Sequence, residues 1–472
     1  MAILDEFEAL ILANFPHHET VAACLAELGS PSTSVSILED GVLSTRCYSI
    51  VGDDADTVFQ ACSISKAINA IAVLKLVEDG RFTLSSTLRE LLPSNYLDIL
   101  ADGSPASQRP LIEAITVKQL LSHTAGLTPS SFPGYPSTDK VPSLSEIVAG
   151  AKPANTVRFR LRSLPGYKYT YAGSGTVLLQ LILEAVVGKE YPDLMRELVL
   201  EPLGMTRSFY SPLPAGENNA AKVHRNGYIR TAEEHHHLPE LAAAGLWTTP
   251  ADLLRAIHDV QRSLSGDGGL LRQDTAKEMI TEVQDGMALG WETFDHKDKV
   301  AFGHSGSNDP GYRCHAAGYS KQDDKNVPRH SGVAAMTNSE SGNGALYHVF
   351  AAITGLKGWP SLVYNSVALE LGLPSQETGE TWKGWKGAWK DDDSNSYVVG
   401  ESDDHLPTLL YNGVGEIRLL PAVDSRRDSE GKSPTDFVLQ GMLVGMKFEE
   451  KDGNKTVSLK RFGKDPTLLK RG

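Results

Sequence analysis

The chain has 472 residues, of which 41% are hydrophobic and 22% charged, and its net charge is −14. That length suits two or three domains, and that balance suits a soluble globular protein. The acidic excess argues against nucleic acid or an anionic membrane as partner, and no run of about 18 apolar residues offers a membrane-spanning helix.

The four cysteines, Cys24, Cys47, Cys62 and Cys314, show no C-x-x-C spacing. So few in so long a chain fit free thiols in a reducing compartment. The first eight residues carry acids rather than a basic leader, with no apolar core and cleavage site after them. A cytoplasmic location is the expectation.

Residues 1–28 read as one helix with Ile3, Phe7, Leu10, Ile11 and Phe15 on a stripe. Apolar alternation at Val35, Ile37 and Val42 around Asp40-Gly41 reads as a β-hairpin. A short apolar run then enters Ser63-Ile64-Ser65-Lys66, with Ile68, Ile71 and Ala72 spaced for a buried helix face. Residues three apart are neighbours on a helix, so a helix starting near Ser63 sets its hydroxyl beside the Lys66 amine. A serine hydroxyl needs a neighbour to take its proton, and a desolvated lysine can do so. An N-capping serine with a solvated lysine is the plain alternative. Cys62 is a rival nucleophile by position alone.

Residues 74–92 continue as amphipathic helix, interrupted at Asp79-Gly80-Arg81. Thr116 reads as an N-cap and Gly126 as a stop, with His123 between them as a base or a packed ring that satisfies local backbone. Residues 128–165, rich in Pro, Ser and Gly, read as a long loop or small lobe. Pro165-Gly166 begins a turn into an aromatic segment containing Tyr171, followed by a helix over 176–187. Residues 214–240 read as a polar loop ending in His235-His236-His237. Adjacent side chains of an extended segment point apart, so these imidazoles do not read as a metal site. Strands are expected at 288–291, 300–319 and 332–338, and a helix near 345–353. Hairpins at both ends with helices between give an α+β layout in which early and late strands share one antiparallel sheet.

Beyond about residue 375 the composition shifts. Trp382, Trp385 and Trp389 are followed by short β-like runs at 396–400, 407–411, 415–420, 435–440, 443–449 and 455–462. This reads as a small all-β domain, a barrel, covering 376–472 after a first domain over 1–370.

Three pieces stand in order: Ser63-Ile64-Ser65-Lys66, Tyr171-Ala172-Gly173 and His304-Ser305-Gly306. Together they resemble the three motifs of the serine β-lactamase and penicillin-binding-protein superfamily. The match is to the branch with class C β-lactamases, carboxypeptidases, D-aminopeptidases, family VIII esterases and transesterases. Leu120–Leu127, Pro165–Tyr171, Glu201–Met205 and Ala243–Thr249 are similar to that branch too, over residues 20–360. The tail resembles the lipocalin-like barrels of some relatives.

The resemblance implies a β-lactamase/transpeptidase-like fold and an acylated Ser63. Lys66 and Tyr171 would share the proton work, one as base and one as shuttle. The strand with His304, Gly306 and Ser307 would wall the cleft, and the N–H groups of Ser63 and Ser307 would form the oxyanion hole. It also implies that Cys62 faces the core. Two positions depart from the pattern. Gly173 stands where β-lactamases place an Asn that binds acylamide side chains. His304 stands where stricter members place Lys, and a histidine is less reliably cationic at neutral pH.

The expectation is a serine hydrolase or acyltransferase working on a small ester, amide or lactam, a small-molecule acyl substrate, with no metal or cofactor. A β-lactamase or D-stereospecific peptidase is the first alternative. A catalytically idle binding protein of the same fold is the second.

Overall fold

The computed structural model describes residues 3–472 apart from 211, 226–231, 295–300, 322–326, 363–379, 403–404, 406, 414, 422–435, 440–443, 452 and 462–466. The expected domain boundary at 370–376 and part of the 214–240 loop lie outside the described residues. Two compact units are present, one of residues 31–341 and one of 1–30 with 342–472.

The first unit is built on a six-stranded sheet. Ser32–Glu39 and Val42–Ser49 form the expected hairpin. Asp40 and Gly41 at its tip have φ of 48° and 81°, the left-handed pair that a tight hairpin turn requires. Glu292–Phe294, Ala301–Asn308, Tyr312–Tyr319 and Gly332–Thr337 complete the sheet. Gly332–Thr337 pairs antiparallel with Ser32–Glu39, so early and late strands do share one sheet. The first strand is buried along nearly its whole length, which fits a central position between the hairpin partner and the late strand. Residues 288–291 are not a strand. Ala288 N–H instead reaches Trp291 O at 2.9 Å and Gly290 turns with φ 79°.

The Pro250–Ser265 helix packs on this sheet. Its Gln261 donates to Tyr319 O at 3.0 Å and Ser331 O at 2.8 Å. The Ile64–Glu78 helix also packs against the Ala301–Asn308 strand, and it is buried over twelve of its residues. Such burial explains its weak amphipathicity: apolar side chains are needed all round. The amphipathic stretch expected over 74–92 ends at Glu78, with a separate short helix at Leu88–Leu91. The 128–165 lobe carries the Leu144–Ala149 helix, and its Arg160–Leu161 strand pairs with Leu127–Thr128.

In the second unit, the stretch expected as one helix over 1–28 forms two among the described residues, Ile3–Asn14 and Val21–Glu27. Pro16 and the Thr20 cap interrupt the periodic stripe: Thr20 accepts from Ala23 N–H at 3.2 Å and begins a new helix. Asn343–Lys357 packs against the first of them. The C-terminal residues form a closed antiparallel barrel of eight strands. Six of them match the expected runs. Gly387–Lys390 and Thr467–Arg471 are the other two, and they pair with each other to close it. Its core is filled by Trp382, Trp385, Trp389, Tyr397, Phe437, Phe448 and aliphatic neighbours. Among the described residues no helix is long and apolar enough to cross a membrane.

Candidate active site

Ser63 is the N-cap of the Ile64–Glu78 helix. The chain reaches it from the Phe59–Gln60 strand through Cys62, which adopts φ 50°. A β-carbon makes that region costly, by about 1–2 kcal/mol, so surrounding contacts must hold it. They do. Ser65 Oγ donates to Cys62 O at 2.6 Å and accepts from Leu246 N–H at 3.1 Å. Ala61 N–H donates to Leu246 O at 2.8 Å. This turn sends the Cys62 thiol inward, fully buried and donating to Gln60 O at 3.3 Å, and leaves the Ser63 side chain at the cleft.

One helical turn on, Lys66 is only 4% exposed. Its Nζ donates to Ser63 Oγ at 3.1 Å and to Ala243 O at 2.7 Å. Burial lowers its pKa from 10.5 to about 7, against a smaller upward pull from the Cys62 and Glu292 charges. Lys66 Nζ also lies 5.1 Å from the Tyr171 ring centre. Tyr171 is pushed well above the ordinary phenol value by burial, partly offset by a hydrogen bond with the Ser63 side chain. Lysine and phenol thus converge on one hydroxyl.

Tyr171 is backed by His123, with ring centres 4.5 Å apart. His123 Nδ1 accepts from Ala172 N–H at 3.2 Å, and burial lowers its pKa to about 3. It packs as a ring that fixes the Tyr171 segment through this hydrogen bond.

The Ala301–Asn308 strand comes next. Gly306 lies against the 61–63 turn so closely that a β-carbon there would sit 2.7 Å from Ala61 O and 2.8 Å from Cys62 Cβ. Only glycine fits, and its place sets Ser307 and Ser63 each one residue from that contact. Asn308 secures the same junction, donating to Gln60 Oε1 at 2.7 Å and Ala244 O at 3.2 Å. His304 is 1% exposed, its Nδ1 is 2.6 Å from Ser305 O, and its ring is 6.3 Å from that of Tyr171. Burial, with Lys66 nearby, brings its pKa down to about 3. At neutral pH it carries no charge.

Gly173 opens the Gly173–Val187 helix, which begins three residues earlier than expected. A β-carbon at 173 would lie 2.8 Å from both Phe132 Cε2 and Ser130 O. A backbone oxygen cannot yield as a side chain can, so an asparagine is sterically barred. Phe132 occupies that ground.

Two parts of the site left no mark in the sequence. The Ala243 carbonyl that holds Lys66 is a backbone atom. Glu292, beside Gly303 in the sheet, is partly buried, and burial raises its pKa to about 7 while Lys66 pulls it down. A lone acid at a strand start, so far from Ser63 in the chain, has no local signature. The His235–His237 run divides its contacts: His235 meets the Trp247 ring at 4.8 Å, and His236 Nδ1 is 2.8 Å from Pro133 O. His237 pairs its backbone with Tyr135.

The Beta-lactamase family model matches residues 18–354. The chain belongs to the beta-lactamase family. Penicillin-binding protein 4 of Amycolatopsis lactamdurans is 25% identical over 306 residues, 59% of this chain and 75% of the relative. The D-alanyl-D-alanine-carboxypeptidase/endopeptidase AmpH of Escherichia coli K12 is 26% identical over 223 residues, 47% of this chain. The chain spans about half, 53%, of AmpH. Among solved structures, the octameric penicillin-binding protein homologue from Pyrococcus abyssi aligns at TM-score 0.58 and 20% identity, covering 94% of this chain and 97% of its own. A D-amino acid amidase from Ochrobactrum anthropi SV3 aligns at 0.55 and 17% identity, covering 76% and 100%. The family is one of serine hydrolases.

Proposed function

We propose that the protein transfers acyl groups through an acyl-Ser63 intermediate, taking them from small esters or amides. The observation that carries this reading is the buried Lys66 amine, 3.1 Å from Ser63 Oγ with a pKa of about 7. Neutral Lys66 accepts the Ser63 proton as Oγ attacks the substrate carbonyl carbon. The oxyanion is held by the N–H groups of Ser63 and Ser307. Collapse expels the alcohol or amine, which takes its proton from Lys66 by way of the Tyr171 hydroxyl. Water, or a small alcohol or amine, then attacks the acyl carbon and restores Ser63. The high pKa of Tyr171 supports shuttle rather than base for the phenol.

Substrate preference follows from the walls. Phe132 beside Gly173 supplies an apolar face where an acylamide binder would stand, which supports simple acyl donors over β-lactams. Neutral His304 gives a substrate carboxylate no cation. The D-amino acid amidase likeness supports ammonium-bearing donors as a second reading. Four unpaired cysteines support a reducing, cytoplasmic setting. The eight-stranded tail is read as lipocalin-like in form and structural in role, because its interior is packed.

The test is incubation with p-nitrophenyl butyrate, D-alanyl p-nitroanilide and nitrocefin, following adducts by intact mass. Ester or anilide turnover lost in Ser63→Ala is expected. Fast nitrocefin turnover with slow ester turnover would move the assignment to a β-lactamase. No adduct with any probe would leave a binding protein.

A further inference from the structure

We propose that His17, His18 and Glu27 form a zinc site in the N-terminal helix pair, independent of the Ser63 centre. Phe15 follows the first helix, fully buried, with its N–H 3.1 Å from Ile11 O. Pro16 follows, and His18 N–H returns to Phe15 O at 3.0 Å, which makes a tight turn. Thr20 caps the second helix, and Glu27 is its last residue. Adjacent side chains ordinarily diverge, but this turn brings the His17 and His18 rings to 4.3 Å between centres.

Both Nε2 atoms lie 2.6 Å from the same atom, Glu27 Oε2. All three ligand atoms fall within 4.8 Å of one another. Two imidazoles and a carboxylate are a donor set that Zn²⁺ takes, with a fourth position for water. At bond lengths of about 2.0–2.1 Å, tetrahedral ligands stand about 3.3 Å apart, so outward shifts of about 1 Å or less admit the ion. Side-chain exposures of 40% and 27% for the histidines and 33% for the glutamate leave a path from solvent.

Without an ion, each ring must aim its own N–H proton at one oxygen. A cation replaces both protons on that line, and each neutral ring then carries its proton on Nδ1. No group changes oxidation state. The bond set would staple the 15–18 turn to the far end of the second helix and stabilise the pair. A borderline cation is favoured over Mg²⁺, which prefers oxygen donors.

The test is calorimetric titration of the EDTA-treated, desalted full chain with zinc chloride, wild type against Glu27→Gln and His18→Ala. One saturable equivalent, a raised melting temperature, and affinity weaker by about tenfold or more in both variants are expected. Cobalt should give the intense visible absorption of a four-coordinate site, lost in the same variants, and excess Mg²⁺ should not compete. Circular dichroism checks that the variants keep their fold, and His17→Ala replaces either one that does not. No saturable binding by wild type, or equal affinity in the variants, would overturn the site.

Discussion

Lys66 and His304 are two of the buried basic groups beside Tyr171, and burial treats them differently. Lys66 comes from the Ile64–Glu78 helix and His304 from the Ala301–Asn308 strand, and both are nearly inaccessible to water. Desolvation lowers both pKa values, yet Lys66 settles at about 7 and His304 at about 3. The starting points differ, 10.5 against 6.5, and so do the neighbours. Lys66 donates to the Ala243 carbonyl and feels the Glu292 charge, whereas His304 feels Lys66 itself. The same physical effect thus brings the lysine close to neutral pH, where its free amine is populated, and leaves the histidine uncharged. Substituting one for the other would not preserve either role.

The largest expected effect lies on the lysine side. Lys66→Ala should lower ester turnover by about 10³-fold, read as kcat/KM, because the Ser63 proton loses its acceptor. Survival of more than a tenth of the activity would break the contrast. Tyr171→Phe should cost about 10²-fold, more with a poor leaving group than with p-nitrophenolate, since only the former needs a proton. Equal losses with both leaving groups would remove the phenol from the proton path.

On the histidine side the effect is one of preference. His304→Lys should raise kcat/KM for a carboxylate-bearing ester over its neutral analogue by about tenfold, the worth of one partly buried charge contact. An unchanged ratio would show that the wall does not meet the acyl group. The smallest change is expected at Glu292. Its carboxylate raises the Lys66 pKa, so Glu292→Gln should lower it and move the acid limb of the pH–rate profile to lower pH. A limb that moves to higher pH would contradict the placement of that charge.

Much of this was legible wherever the causes are local. The three-residue spacing of Ser63 and Lys66 encodes their adjacency once a helix begins there. Asp40-Gly41 encodes its own turn, and alternation marks the strands beside it. The sharing of one sheet by early and late strands followed from the α+β pattern. Elsewhere the cause sits far along the chain. Glu292 reaches Lys66 only through the sheet, and Gly173 is forced by Phe132 and Ser130, whose approach no spacing announces. The break in the first helix was local too: the apolar stripe stops at Phe15, and Pro16 and the Thr20 cap follow it directly.

The barrel shows the same division. Its alternating runs and tryptophans were readable, but closure depends on two terminal strands whose pairing spans the whole domain. Sequence period reports which face a residue takes and says little about which strand it meets.

The most direct test of the central claim is the pH dependence of Ser63 acylation, measured from pH 5 to 9 by stopped-flow release of p-nitrophenol, with intact mass confirming the adduct. A rate that rises with pH through one inflection near 7, and a signal absent from Ser63→Ala, is the expected result, since neutral Lys66 is populated above its pKa of about 7. A rate flat across this range, or still climbing steeply at pH 9, would contradict a lysine base tuned by burial.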